Sequence, residues 1–397
     1  MNRFKKHPRH FYQHFYRHCA ITLISIAISS LFALIAIYAK PLDPVKRVVK
    51  DFSFTDIYYE IQQESGKPDT SHVITMVDMT QLVKLKDIAE LIEAVETHSP
   101  KVVGLDVNFD LEGCDMDGNY SLIETMERHQ NIVCSMKLTD WKNDSIGWTN
   151  AIHSFFTEAV DVCEGSTNIP RALFDNMKRK IPLYERLKGQ WQPSFVTQIA
   201  NRYAETDLVK NRREDVRINF TPTVFRVLSP EEVSQHPEMI EGQIVLIGAM
   251  NQDTDMHWTP IGKIAGVELM AYGLQSVLYS NEVKTLSYPA LCLISLLIIL
   301  LVEVLQHHYL TRTAASKRIF IRYIVGSTYM MGIWTIFFST LILGICFLLF
   351  NIYGWSVNLA WALTVITFLG TSRNLFIAIE NYLKAWRQRR IEACQAD

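Results

Sequence analysis

Four apolar stretches interrupt an otherwise mixed pattern of apolar and polar positions. They run about from Cys19 to Ala39, Ser287 to Gln306, Ile324 to Phe350 and Ser356 to Ile377. A helix needs roughly 20 residues to cross about 30 Å of hydrocarbon, and each stretch is about that long. A backbone in lipid must satisfy its own hydrogen bonds, so four transmembrane α-helices are expected. The first stretch is longer than the apolar core of a cleaved leader, roughly 7–15 residues, and it ends in the poor cleavage site AIYA. It is expected to remain as an anchor.

Between the first and second stretches the apolar period changes repeatedly. Phe54, Ile57, Tyr58 and Ile61 fall at helical spacing. HVITMVD is a short β-branched run, expected as a buried strand. Leu85, Ile88, Leu91, Ile92 and Val95 share one helical face, and KVVGLDVNF is again strand-like. Strand, helix and strand within about 40 residues form a βαβ unit, whose two strands should be parallel neighbours. YSLIETMERH reads as helix and NIVCSMKL as a third strand. The stretch 139–192 predicts loops and edge strands. PSFVTQIANRYAE predicts a helix with Pro193 in its first turn, and DVRINF and GQIVLIGA predict strands. GVELMAYGLQSVLY predicts a last helix that leads straight into the second span. The expected fold class is an α/β extracytoplasmic domain with a partly parallel sheet, plus four transmembrane α-helices.

Charge sets the orientation. Residues 1–18 carry Arg3, Lys5, Lys6, Arg9 and Arg17 and no acid, and 307–323 carries Arg312, Lys317, Arg318 and Arg322 and no acid. Positive loops stay inside. The reading is therefore a cytoplasmic N-terminus (1–18), span 19–39, outer domain 40–286, span 287–306, cytoplasmic loop 307–323, span 324–350, external turn 351–355, span 356–377 and cytoplasmic tail 378–397. The expected location is the cytoplasmic (inner) membrane, with the large domain on the periplasmic side. Residues 40–286 hold 25 Lys and Arg against 37 Asp and Glu, a net of 25 − 37 = −12. Such an acidic surface excludes nucleic acid as an expected partner. The basic segments beside the spans read as contacts to anionic membrane lipids.

Of seven cysteines, Cys114, Cys134 and Cys163 face the outer compartment. Cys134 lies in an apolar strand and reads as a small buried hydrophobe. Cys114 and Cys163 sit in polar loop-like stretches and form the candidate disulfide, with three free thiols as the alternative. No phosphate loop, dinucleotide fingerprint, H-E-x-x-H, serine elbow or Cys-x-x-Cys is present. No cofactor and no enzyme activity are expected.

The stretches VITMVDMTQL with the following helix and KVVGLDVNF, then INFTP, then EGQIVLIGAMNQDTDMHWTPIGKIAGVELMAYGLQSVL, together resemble the second type of CHASE domain. That resemblance implies an extracellular sensory domain of the kind associated with cyclases and histidine kinases, with one span before it and three after. The chain departs from the family pattern at Asp78-Met79-Thr80, where a more acidic run is common, and at Met270, where a His is common. The residues after the fourth span are too few for a kinase or cyclase domain. A separate signalling protein is then the expected recipient, and a homodimer the expected state.

Asp78 and Asp106 end two predicted parallel strands, and Asp253 and Asp255 follow GQIVLIGA in the same sense. Ligands of open α/β sheets bind beyond the carboxyl ends of strands. The four carboxylates are candidate ligand-binding residues for a divalent cation or a cationic molecule, or else caps that order loops. Asp255 and His257 are a candidate acid–base pair. His10, His14 and His18 recur every four residues and read as an interfacial aromatic-basic helix. Glu303 and Arg373 fall at similar depth in two apolar helices and form a candidate intramembrane pair. The leading reading is a sensor for a small ligand or envelope protein. A non-signalling envelope scaffold and an extracytoplasmic hydrolase are the alternatives.

Overall fold

A computed structural model describes residues 7–38, 54–65, 68–109, 116–170, 177–210, 212–252 and 255–396. The chain divides into two units: Asp51–Lys284 forms one, and Met1–Lys50 with Thr285–Asp397 forms the other.

In chain order the first element is helix α1 (His7–Tyr38), which belongs to the second unit. The outer unit then runs α2 (Phe54–Ser65), β1 (Asp69–Asp78), α3 (Leu85–Glu96), β2 (Val102–Asp106), α4 (Met116–Arg128) and β3 (Ile132–Asn143). It continues with β4 (Gly147–Ile152), β5 (Cys163–Ser166), β6 (Lys180–Ile181), β7 (Tyr184–Leu187), β8 (Gln190–Pro193) and α5 (Phe195–Ala204). It closes with β9 (Val216–Arg217), β10 (Thr223–Leu228), β11 (Ile244–Gly248), the hairpin β12 (Met256–Thr259) and β13 (Gly262–Ala265), and α6 (Gly266–Leu278).

The core of the sheet is parallel, in the order β10-β1-β11-β2-β3, with β5 also paired to β3. The second half of β3 pairs antiparallel with β4, and the sheet extends through β7 and β8. Helices α3 and α4 cover one face, packing Ile88, Leu91, Ile92, Leu122 and Met126 onto Val103, Leu105, Val245 and Ile247. Each such side chain contributes about 1.5–3 kcal/mol when fully buried. On the other face α5 sits over Gly104 and α6 over Gly248. A Cβ at Gly104 would meet Ile199 and Phe195, and one at Gly248 would meet Val267.

Three expectations change. β1 and β2 are parallel, but they are not neighbours: β11 lies between them and pairs with both. Every residue of Ile244–Gly248 is buried, and a strand apolar at each position loses most water at the centre of a parallel sheet. Pro193 closes β8 rather than opening α5. Ser194 caps that helix, its hydroxyl accepting the Thr197 N–H at 3.3 Å. Finally, α6 does not run straight into the second span. It stops at Leu278, where Ser280 takes a φ of 48° and the Asn281 N–H bonds back to Ser276. The next helix starts only at Tyr288.

The second unit contains α1, α7 (Tyr288–Ala314), α8 (Thr328–Tyr353) and α9 (Ala360–Ala396). All four are long and apolar enough to cross a membrane. α8 starts later than the sequence suggests, because Ser327 caps it after a short turn of π-helix, and it ends at Gly354 in the left-handed region. α9 absorbs the predicted tail. Its 37 residues span about 55 Å, well beyond a bilayer core. Ile21, Ile299, Val302, Val365, Ile366 and Leu369 form the core of this unit.

Two glycines separate soft from hard packing. A Cβ at Gly104 would stand 2.6 Å from Ile199 Cδ1 and 2.7 Å from Leu246 Cδ2, both flexible ends. A Cβ at Gly165 would stand 2.5 Å from the Phe195 backbone nitrogen and Cα. Gly104→Ala is expected to cost about 1–3 kcal/mol. Gly165→Ala is expected to cost more, because the backbone of α5 must move. Thermal melts followed by circular dichroism would order the two.

Candidate functional site

The strand register decides what the acids at the sheet rim can do. Asp78 stands opposite Gly248, and Gly248 stands opposite Asp106. Two strand spacings therefore part the backbones of Asp78 and Asp106, roughly 9–10 Å. Asp78 is engaged locally. Its Oδ1 accepts the Thr80 N–H at 2.9 Å, the Thr80 hydroxyl at 2.5 Å and the Met250 N–H at 3.2 Å. The Thr80 hydroxyl oxygen in turn accepts the Met250 N–H at 2.9 Å. Asp78 thus ties the turn after β1 to the turn after β11, which is the loop-ordering role.

Asp106 has a different setting. It is half-buried at the end of β2, on the sheet face that carries Gly104 and α5. Burial first, and the neighbouring Asp255 carboxylate second, push its carboxyl up from 3.8 to about 7, and His257 acts the other way. Asp255 is held at the N-terminus of α6: a Cβ on Gly266 would strike its carboxylate. The free N–H groups of a first helical turn favour such a negative charge. His257 Nε2 lies 3.3 Å from Asp255 Oδ1, on the hairpin strand β12. The structure therefore brings Asp106, Asp255 and His257 together and separates Asp78 from them. Asp253 lies outside the described residues. Among the described residues, no group of three His, Cys, Asp or Glu side chains could hold a metal ion.

Of the candidate disulfide, Cys114 lies outside the described residues. Cys163 begins β5 as a free, half-buried thiol held above its ordinary pKa by burial. Cys134 is wholly buried in β3.

The second unit holds a buried polar cluster. Arg373 of α9 donates to the Glu303 carboxylate of α7, and Glu303 is wholly buried. The second Glu303 oxygen faces His18 Nδ1 of α1 at 3.5 Å. Gln306 of α7 accepts from Arg373 at 3.4 Å and donates to the Thr335 hydroxyl of α8 at 3.3 Å. His18 also meets His307 edge to face, with centroids 4.9 Å apart. Five side chains thus link all four helices. Reading the spans one at a time identifies Glu303 and Arg373 but misses His18, Gln306 and Thr335. His18 is buried against Glu303 rather than interfacial, and the side chains of His10 and His14 lie outside the described residues. A sequence pattern for it exists: His18, Thr22, Ser25 and Ser29 recur at helical spacing and are all buried. Small and polar residues on one face of an apolar helix mark a packing face.

The fold is an α/β domain joined along the chain to four membrane-length helices. A family model described as the CHASE2 domain matches residues 30–305. That is well over half of the chain, and the protein belongs to the CHASE2 family of extracellular sensory domains. No curated protein and no solved structure matches the chain significantly.

Two predictions rest on this geometry. Asp106 binds its proton more tightly folded than unfolded, so its ionisation opposes folding. The loss accumulates as pH rises from about 4 to about 7 and stays constant above. Asp106→Asn should therefore raise stability above pH 7 by about 1–3 kcal/mol and flatten that slope, as read by melts at pH 5 and pH 8. In the membrane unit, Glu303→Gln and Arg373→Met should each destabilise the protein by about 3–5 kcal/mol, read as a lower melting midpoint in detergent, since each strands a buried partner. The charge swap Glu303→Arg with Arg373→Glu should recover at least half of that loss. A swap no better than the single variants would count against the pair.

Proposed function

We propose that this protein is a receptor of the cytoplasmic (inner) membrane whose outer domain recognises a small organic cation at Asp106, Asp255 and His257. One observation carries the reading: two acids share the carboxyl-end rim of the sheet, and among the described residues that act on the Asp106 carboxyl there is a second carboxylate and the imidazole of His257 but no Lys or Arg. A half-buried carboxyl near neutrality that gains from an incoming positive charge is a poised recognition group. Asp255 lies on the connection between the central strand β11 and helix α6. Occupancy would thus be felt at the start of the last outer helix, which the chain follows to the second span. On this reading the receptor acts as a homodimer and hands the change to a separate signalling protein.

Binding a cation must draw a proton off Asp106, so affinity should rise between pH 6 and pH 8. The test is thermal shift of the full-length protein in detergent with spermidine, putrescine, arginine and choline. One of these is expected to raise the melting midpoint saturably, more at pH 8 than at pH 6, and Asp106→Asn should remove the shift. No shift with any of them, or a shift that survives in Asp106→Asn, would overturn the proposal. A fixed membrane partner that co-purifies in the absence of any ligand shift would instead favour an envelope scaffold, a role suited to four helices tied by buried polar contacts.

A further inference from the structure

The antiparallel extension of the sheet carries a second surface, on strands that contribute nothing to the acidic rim. In the β3–β4 ladder Thr139 stands opposite Asn150, and Trp141 opposite Trp148. The two-residue period puts all four on one face. Trp148 is held in place: it pairs with Leu187 of β7, and its indole N–H donates to Glu185 at 3.3 Å. The two indoles meet edge to face with centroids 5.4 Å apart, and Trp141 remains 54% exposed.

Asp140, between Thr139 and Trp141, has a φ of 60°. This left-handed conformation is uncommon within a strand, though Asp enters it more readily than most residues. Its carboxylate is turned onto its neighbours. Oδ2 accepts the Asn150 amide at 2.8 Å and the Thr139 hydroxyl at 3.2 Å, and its backbone carbonyl accepts the Thr149 hydroxyl at 3.0 Å. Among the described residues, nothing donates to Asp140 Oδ1 or to Asn150 Oδ1. Two acceptor oxygens on exposed residues next to Trp141 in the ladder are therefore left without a protein donor among the described residues.

The other exposed outer tryptophans differ. Trp191 is already engaged by guanidinium groups, Arg186 at 4.6 Å and Arg213 at 5.8 Å from its centroid. Trp258 sits opposite Lys263 on the β12–β13 hairpin.

We propose that the Trp141 face binds a neutral sugar ring. A pyranose has an apolar, weakly positive C–H face and a rim of O–H donors. The Trp141 ring offers the negative π face to the first, and Asp140 Oδ1 and Asn150 Oδ1 offer acceptors to the second. A polyanion fits poorly, because residues 40–286 carry a net charge of −12 and Asp140 is itself acidic. A protein partner would put Asp140 at the heart of an interface, where charged groups are depleted. The sugar ring can belong to an envelope polysaccharide or to a free saccharide.

The test uses the full-length protein in a zwitterionic detergent that has no sugar headgroup. Tryptophan fluorescence and calorimetry would follow titration with maltohexaose, cellohexaose, chitohexaose, glucose and N-acetylglucosamine. At least one should bind saturably. A hexamer that binds more tightly than its own monosaccharide identifies a polysaccharide source, and equal affinity identifies a free sugar. Trp141→Ala should weaken binding about tenfold or more, and Asn150→Ala less, with the far-ultraviolet spectrum unchanged. Trp258→Ala should bind as the parent protein does. Absence of saturable binding for all five up to about 10 mM would overturn the proposal. So would unchanged binding by Trp141→Ala, or a Trp141→Ala variant that alters oligomeric state instead, which would make this face a subunit interface.

Discussion

Water is kept from the strand Ile244–Gly248 on every side. Its edges pair with β1 and β2, and its faces are covered by α3 and α4 on one side and α6 on the other. The arrangement of the outer domain follows from that central strand. It fixes β1 and β2 as next-nearest rather than nearest neighbours. It needs a glycine at its end, because Val267 of α6 comes too close for a Cβ at Gly248. It also ends level with Asp106 of β2, and Asp255, between that strand and α6, acts on the same carboxyl.

The two units treat buried acids in opposite ways. Glu303 has a guanidinium donor and an imidazole within reach, and Gln306 engages the same guanidinium. Its charge is matched inside the protein, which makes it a tie between helices. Asp106 is pushed up to about 7 by burial and by a second carboxylate, against which the nearby His257 imidazole only partly acts. A charge left unmatched within the fold costs stability, and a ligand of opposite sign can restore that loss. Asp78 shows the third outcome: the same residue type, at the same register level, with its oxygen satisfied by the chain around it.

Much of this organisation can be read from the residues. Span length, loop charge and the β-branched runs depend on composition over windows of 8–20 residues, and hydration acts on such windows directly. The weaker strand β10 escapes that reading because Val224 and Val227 remain exposed at the sheet edge and break the alternation. Helix ends are also less legible. The stop at Ser280 rests on one residue in the left-handed region, not on a Gly or Pro that would announce it.

The four apolar helices, the α/β alternation, the acidic outer domain and the residue types available at the strand ends are all legible in the amino-acid order. Each of these depends on local patterning or on counts of charge. The strand order emerges from the folded chain alone, and with it the division of the acids into a turn-forming Asp78 and a neighbouring Asp106 and Asp255. The fold also decided that His18 joins Glu303 and Arg373, residues 285 and 355 positions away in the chain by subtraction of their numbers. The physical reason is that pairing across a sheet and packing across a bundle are settled by which arrangement buries the most apolar area with every polar group partnered. That competition runs over the whole chain, and no window of it contains the answer.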